Sequence, residues 1–124
     1  MNRLTLVCLI AALGIVLGAF GAHALKDLLA ENGSAESWRT AVLYHLIHAV
    51  ALLAVVSRGS SLRAKWSVPL WVLGILLFSG SIYGLALTGW KLLGPITPLG
   101  GLAFIAGWIL LAIENRGIQE SKSE

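Results

Sequence analysis

The side chains best suited to chemistry in this chain are its three histidines, His23, His45 and His48. His45 and His48 stand three apart, a spacing that puts both on one face of a helix. Neutral imidazole is the usual nitrogen ligand for zinc, copper or haem iron, and it relays protons because its unperturbed pKa of ~6.5 lies near physiological pH. The competing reading is structural: each ring hydrogen-bonds a backbone carbonyl, or Tyr44, Tyr83, Ser79 or Ser81 on a neighbouring helix, and so holds the helices in register. The structural reading is the expected one, because a pair at this spacing is far less specific than a zincin motif and has no Asp or Glu on its face to orient the rings. His23, Tyr44, His48, His45, Tyr83 and Ser81 are therefore the candidate polar network or ligand site, with no catalytic residue, metal or cofactor assigned.

A second candidate is the turn containing Gly94, Pro95, Thr97, Pro98, Gly100 and Gly101. Glycines at a helix N-terminus can bind anions, but this run lacks the spacing and the Lys of a phosphate-binding P-loop. A re-entrant turn is the expected structure. Ser79, Ser81 and Thr88 have neither a nucleophile elbow nor a paired acid, so covalent catalysis has no support and no enzyme is expected.

The elements that must position these groups follow from composition. Of the 124 residues, 57% are hydrophobic and 12% charged, about half the ~25% charge of ordinary soluble domains. Such a chain must meet lipid, and four spans of ~20 residues with short connectors consume nearly all of it. The fold expected is all-α, a single integral membrane four-helix bundle with short connecting loops and spans at about 4–24, 39–57, 67–89 and 98–113. The net charge of +3 comes from scattered Lys and Arg with no basic stripe, so no nucleic-acid partner is expected.

The first apolar run, Leu4 to Ala22, has no charge. Ala22-His23-Ala24 resembles a signal-peptide cleavage site, but the run is longer than the usual 7–15-residue apolar region and carries packing glycines, so it is read as a retained helix. Helical spacing continues through Leu25, Leu28 and Leu29 as an interfacial extension, until Asn32-Gly33 stops it. Ser34 is then the expected cap of the second span. Pro69 falls in the first turn of the third span, and Thr97 caps a fourth helix whose first position is Pro98. Glu114 to Glu124 reads as a polar tail too hydrophilic to fold alone.

Four crossings put both termini and the middle loop on one side. That side holds Arg3, Arg58, Arg63, Lys65, Arg116 and Lys122, against Lys26, Arg39 and Lys91 opposite, so the positive-inside rule places both termini in the cytoplasm. Trp38, Trp66, Trp71 and Trp90 read as interface anchors, whereas Trp108 lies deeper. Cys8, the single cysteine, reads as a packing residue.

Helices in lipid associate through small residues and interhelical hydrogen bonds. Gly14, Gly18 and Ala22 form such a seam on the first helix, Gly80, Gly84 and Thr88 on the third, and Gly100, Ala103 and Gly107 on the fourth. These seams are expected to pack within the bundle, with dimer contacts as the alternative reading.

Several segments together carry a resemblance: Gly18 to Leu25, Thr40-Ala41 with Tyr44 and His48-Ala49, Gly80-Ser81 with Tyr83, and Gly94 to Gly101 with Gly107-Trp108. In that order they resemble the bacterial family called domain of unknown function 423, over almost the whole chain. The resemblance implies a small protein of the bacterial plasma membrane, with related single-domain membrane proteins in eukaryotes and no assigned activity. His23, Tyr44 and His48 match motif positions of that family, whereas His45 stands where Gln is more familiar, which weighs against a His45–His48 metal pair.

The leading expectation is a compact, non-enzymatic membrane module, structural, accessory or lipid-interacting, with membrane lipids as partners and His23 and His48 organising a buried polar network. The rivals are a histidine site for haem, metal, quinone or protons, and a small-solute carrier or channel formed by a homo-oligomer. A second membrane protein is the other partner considered.

Overall fold

The computed structural model describes residues 1–59 and 64–124, apart from the side chains at 64 and 115–118. Ser60, Ser61 and Arg63 of the basic connector lie outside the described residues. The chain is all-α. Its elements are α1 (Arg3–Ala22), α2 (Lys26–Glu31), α3 (Ala35–Ser57), α4 (Ala64–Gly74), a π-turn (Ile75–Ser79), α5 (Gly80–Thr88), a 3-10 turn (Lys91–Leu93) and α6 (Ile96–Ser123). Four stretches are helical, long and apolar enough to cross a membrane: Arg3–Ala22, Ala35–Ser57, Lys65–Thr88 and Lys91–Ser123.

Local chemistry sets the ends of the helices. Asn2 Oδ1 accepts from the Thr5 amide at 2.8 Å and from the Thr5 hydroxyl at 2.9 Å, capping α1. The expected extension of α1 is not continuous with it: the chain turns at residues 23–25, and α2 lies across the top of the bundle with Leu29 buried beside Trp38 and Tyr83. Asn32 Nδ2–H holds α2 down by donating to the Ala86 carbonyl at 3.1 Å. Gly33, at φ 64°, supplies the left-handed residue that reverses the chain into α3. Ser34 stands at the cap position, but its buried hydroxyl makes no capping bond and has no partner among the described residues.

α4 starts earlier than the apolar run suggests, so Pro69 sits inside the helix and not in its first turn. The carbonyl it leaves unpaired belongs to Lys65, an exposed residue at the membrane edge where water is available. α6 opens at Ile96 behind Pro95, so neither Thr97 nor Pro98 is its cap. It then continues to Ser123, and the polar tail is helical. Extending a formed helix needs no new nucleus, which is why a segment unable to fold alone remains helical here.

The π-turn follows from the buried stripe of the third span. Ser67, Trp71, Ile75, Ser79 and Tyr83 are all buried, at steps of four. Steps of four outrun a 3.6-residue turn by about 0.4 residue each, so a regular helix would carry the stripe off the core face. The π-turn absorbs an extra residue and keeps both halves facing inward.

Backbone contacts follow chain order: α1 packs on α3, α3 on the third span, and the third span on α6. Side chains complete two triangles on the shared edge between α3 and the third span, one adding α1 and the other α6. Two apolar clusters fill the interior, the buried members of the first drawn from all four spans and those of the second from α2, α3 and α5. Val7, Leu52, Trp71, Ile75 and Phe104 form one, and Leu29, Trp38, Ala41, Tyr83 and Ala86 form the other. Leu9, Leu43, Val50, Leu76, Leu102 and Ile109 point outward, where lipid covers them.

Candidate functional site

α3 carries His45 and His48 into the two different triangles. His45 is buried at 2% exposure, with Nε2 2.9 Å from the Ile10 carbonyl of α1 and Nδ1 3.1 Å from the Tyr83 hydroxyl of α5. A carbonyl can only accept, so Nε2 carries the proton; in a neutral ring Nδ1 then accepts from the Tyr83 O–H. Gly14 permits this approach. A Cβ there would lie 3.2 Å from His45 Cδ2 and 2.7 Å from Leu46 Cδ2.

His48 takes the opposite tautomer. Its Nδ1 lies 2.8 Å from the Tyr44 carbonyl one turn earlier, and its Nε2 lies 3.0 Å from the Trp108 indole nitrogen. Indole only donates and the carbonyl only accepts, so Nδ1 bears the proton and Nε2 offers its lone pair to Trp108. Phe104 stacks on the imidazole with centroids 3.7 Å apart and planes at 12°, and Trp71 meets its edge at 6.1 Å. Both rings therefore have both nitrogens engaged by protein.

The three imidazoles do not meet. His23 is exposed at the end of α1, and its ring makes no hydrogen bond among the described residues. His45 serves the triangle with α1, His48 the triangle with α6, and no group of three His, Cys, Asp or Glu able to hold a metal occurs among the described residues. Tyr44 reaches His48 through its backbone carbonyl, while its ring packs on Phe78 at 4.7 Å and Phe104 at 6.1 Å. Ser81 bonds neither histidine. It donates to the Phe78 carbonyl at 2.9 Å and accepts from the Thr97 hydroxyl at 2.6 Å, clipping α5 to the start of α6. Ser79 donates to the Ala41 carbonyl at 2.7 Å.

The outer turn has this same positioning role. Lys91–Leu93 is a 3-10 turn, Gly94 and Pro95 complete the reversal, and the helix starts directly at Ile96. Pro98 is exposed and Gly101 has only distant neighbours. Gly100 is the close point, where a Cβ would overlap the Phe78 backbone.

The glycine seam of α6, Gly100, Ala103 and Gly107, is buried as its spacing suggests, whereas those of α1 and the third span are placed partly differently. On α1 Gly14 and Gly18 face α3, and the third member is Gly21, under Trp38, with Ala22 exposed. On the third span Gly80 is exposed and Gly84 touches only Leu93, whereas Gly74 seats the Phe104 ring. The inward face there is set by Ser79 and Tyr83, one position away from the glycines. Gly107 fits under Trp71.

Two tryptophans read as interface anchors are core residues. Trp38 and Trp71 are fully buried, and their indoles donate to helix carbonyls: Trp38 to Leu17 at 2.9 Å, Trp71 to Phe104 at 3.3 Å. Each carbonyl has a glycine three or four residues on, Gly21 or Gly107, whose missing Cβ admits the ring. Ile10 and Gly14 repeat the device for His45. Sequence reasoning missed Trp38, Trp71 and Phe104 as site residues and left Trp108 unassigned. The available signal was a polar aromatic ring paired with a glycine on another helix.

The sequence model of a family described as "Protein of unknown function (DUF423)" matches residues 17–101, from the second half of α1 into the start of α6. The chain belongs to this family. The DUF423 match covers His23, Tyr44, His48 and Tyr83, and it ends before Phe104 and Trp108. Relatives of this DUF423 chain include a UPF0382 membrane protein of Staphylococcus haemolyticus, 45% identical over 79% of this chain and 81% of its own. The UPF0382 membrane protein YwdK of Bacillus subtilis is 43% identical over 83% of this chain and 86% of its own. A UPF0382 membrane protein of the fission yeast Schizosaccharomyces pombe is 35% identical over 91% of this chain and all of its own. No solved structure matches. With four apolar helices and relatives of this kind, the DUF423 chain is a membrane protein.

Proposed function

We propose that this chain is a non-enzymatic structural module of the plasma membrane, an accessory or lipid-interacting protein with both termini in the cytoplasm. The observation that carries this reading is that all four ring nitrogens of His45 and His48 are engaged by protein groups. A metal or haem iron needs an imidazole lone pair, and Tyr83 and Trp108 already occupy the two on offer. In lipid, where no hydrophobic force draws helices together, such interhelical bonds and glycine contacts hold the bundle. The charge asymmetry about the spans supports the orientation.

The test is a visible absorption spectrum and metal analysis of gently purified protein, beside thermal unfolding of His48→Ala. The reading expects no Soret band, no stoichiometric metal and a clearly less stable variant. A Soret band or bound metal that His48→Ala abolishes, or unchanged stability in that variant, overturns it.

A further inference from the structure

α3 and α6 both pack on the third span, and they meet each other through side chains, Trp108 on His48 and Phe104 beside Tyr44. Toward the end where α3 begins, this leaves a groove open to lipid with Phe78 of the π-turn as its floor. Tyr44, 40% exposed, stands 4.7 Å from the Phe78 ring on the α3 side, and Trp108, 44% exposed, lies deeper on the α6 side. Gly101 puts no side chain into the space: a Cβ there would find Phe78 Cδ2 at 3.9 Å and no other neighbouring group within 4 Å. The Tyr44 hydroxyl makes no hydrogen bond among the described residues. Neither do the hydroxyls of Thr40 and Ser37, one and two turns nearer the start of α3 on the same face. Depth says what these groups meet. Exposed Arg39 and Arg58 mark the hydrocarbon edges on α3, about 28 Å apart along the helix against a core of ~30 Å. Tyr44 is about 7.5 Å inside the Arg39 edge, and helical side chains lean back toward the N-terminus, so its phenol reaches the level of lipid ester carbonyls.

We propose that this groove holds one glycerophospholipid of the leaflet where α3 begins, with an acyl chain lying across Phe78 between Tyr44 and Gly101 and an ester carbonyl accepting from the Tyr44 hydroxyl. The inference rests on the lipid-interacting part of the reading above and names its ligand. A hydroxyl left without a partner in hydrocarbon is costly, and the ester supplies the acceptor that the chain does not. Thr40 and Ser37 stand about 6 and 10 Å further toward the start of α3, the order in which a glycerophospholipid presents its phosphate and head group above its esters. Their hydroxyls donate to the phosphate oxygens. The other lipid-facing surfaces offer no such set: Leu43, Val50, Leu76 and Ile109 present hydrocarbon alone, so lipid against them exchanges freely.

The experiment is native mass spectrometry of the full-length protein, taken from its own membrane and, separately, from nanodiscs of dioleoyl phosphatidylethanolamine or its diether analogue. Protein from its own membrane is expected to retain one phospholipid per chain. In nanodiscs the diester is retained several-fold more than the diether, which lacks the carbonyl acceptors. Tyr44→Phe, which keeps the ring on Phe78 and Phe104, removes that difference. Gly101→Leu fills the groove and lowers retention of both lipids, whereas the outward-facing control Leu43→Ala changes neither. No retained lipid, equal retention of diester and diether, retention unchanged by Tyr44→Phe or by Gly101→Leu, or an isoprenoid quinone held in place of the phospholipid overturns the proposal. None of these outcomes touches the ring bonds of His45 and His48, so failure here is distinct from the Soret band or bound metal that would overturn the structural reading.

Discussion

The Trp108 indole donates to His48 Nε2 at 3.0 Å, joining residues 60 positions apart and fixing the imidazole in its Nδ1–H form. With Phe104 stacked on one face and Trp71 at the edge, this contact closes the triangle of α3, the third span and α6. His45 closes the other triangle through Ile10 and Tyr83.

Removing the His48 ring strips Phe104 of its stacked partner and leaves the Trp108 N–H unpaired. His48→Ala is expected to lose about 2–4 kcal/mol of stability, from the cavity and the orphaned donor together. Trp108→Tyr, which keeps an aromatic ring but not the indole N–H, is expected to lose less. Interhelical hydrogen bonds in membranes average about 0.6 kcal/mol, with a maximum near 1.7. Reversible unfolding in bicelles measures both, and equal losses would contradict the assignment.

Gly21→Ala and Gly107→Ala each drive a methyl group into an indole ring that donates to a helix carbonyl. Each is expected to cost about 1–3 kcal/mol. A Cβ at exposed Gly80 would meet the Ile75 carbonyl oxygen at an ordinary 3.7 Å, so Gly80→Ala should be neutral or stabilising by up to about 1 kcal/mol. The same unfolding assay separates them, and a destabilised Gly80→Ala would restore the seam read from spacing alone.

Tryptophan accessibility divides four of the five indoles. Single-tryptophan variants retaining Trp66 or Trp90, both largely exposed, should be quenched by aqueous iodide. Those retaining Trp38 or Trp71, fully buried, should resist iodide and brominated lipid alike. Iodide quenching of Trp38 would place it at the interface.

The π-turn holds one residue more than a regular helix needs. Deleting exposed Leu76 converts the buried stripe to regular α spacing with both halves still facing inward. Deleting exposed Val50 instead rotates the rest of α3, including buried Leu52, by about 100°. The first deletion should retain a folded bundle and the second should not, as read by unfolding midpoint; equal damage would count against the register argument.

The four spans were legible because apolar length alone determines them in lipid. His48 and Tyr44 were legible as a polar locus, through motif resemblance and one-face spacing. Their partners were not, because the decisive groups are backbone carbonyls at Ile10, Leu17 and Phe104, which every residue carries and no pattern marks. Trp38 and Trp71 were assigned to the interface since tryptophan is enriched there, and only the glycines beneath them reveal a buried role. The π-turn was hidden because a helical wheel assumes a constant 3.6-residue turn, and that assumption also placed Gly80 on the packing face. The tail was read as unfolded by composition, which ignores the helix it extends.

The central claim is that both buried imidazoles are held neutral in opposite tautomers by protein partners. Nitrogen NMR of ring-labelled protein in bilayers tests it most directly. The account predicts His45 protonated at Nε2 and His48 at Nδ1, with the His48 Nε2 resonance changed by Trp108→Tyr. Two rings in one tautomer, a metal-shifted nitrogen, or a His48 resonance insensitive to Trp108 would contradict it.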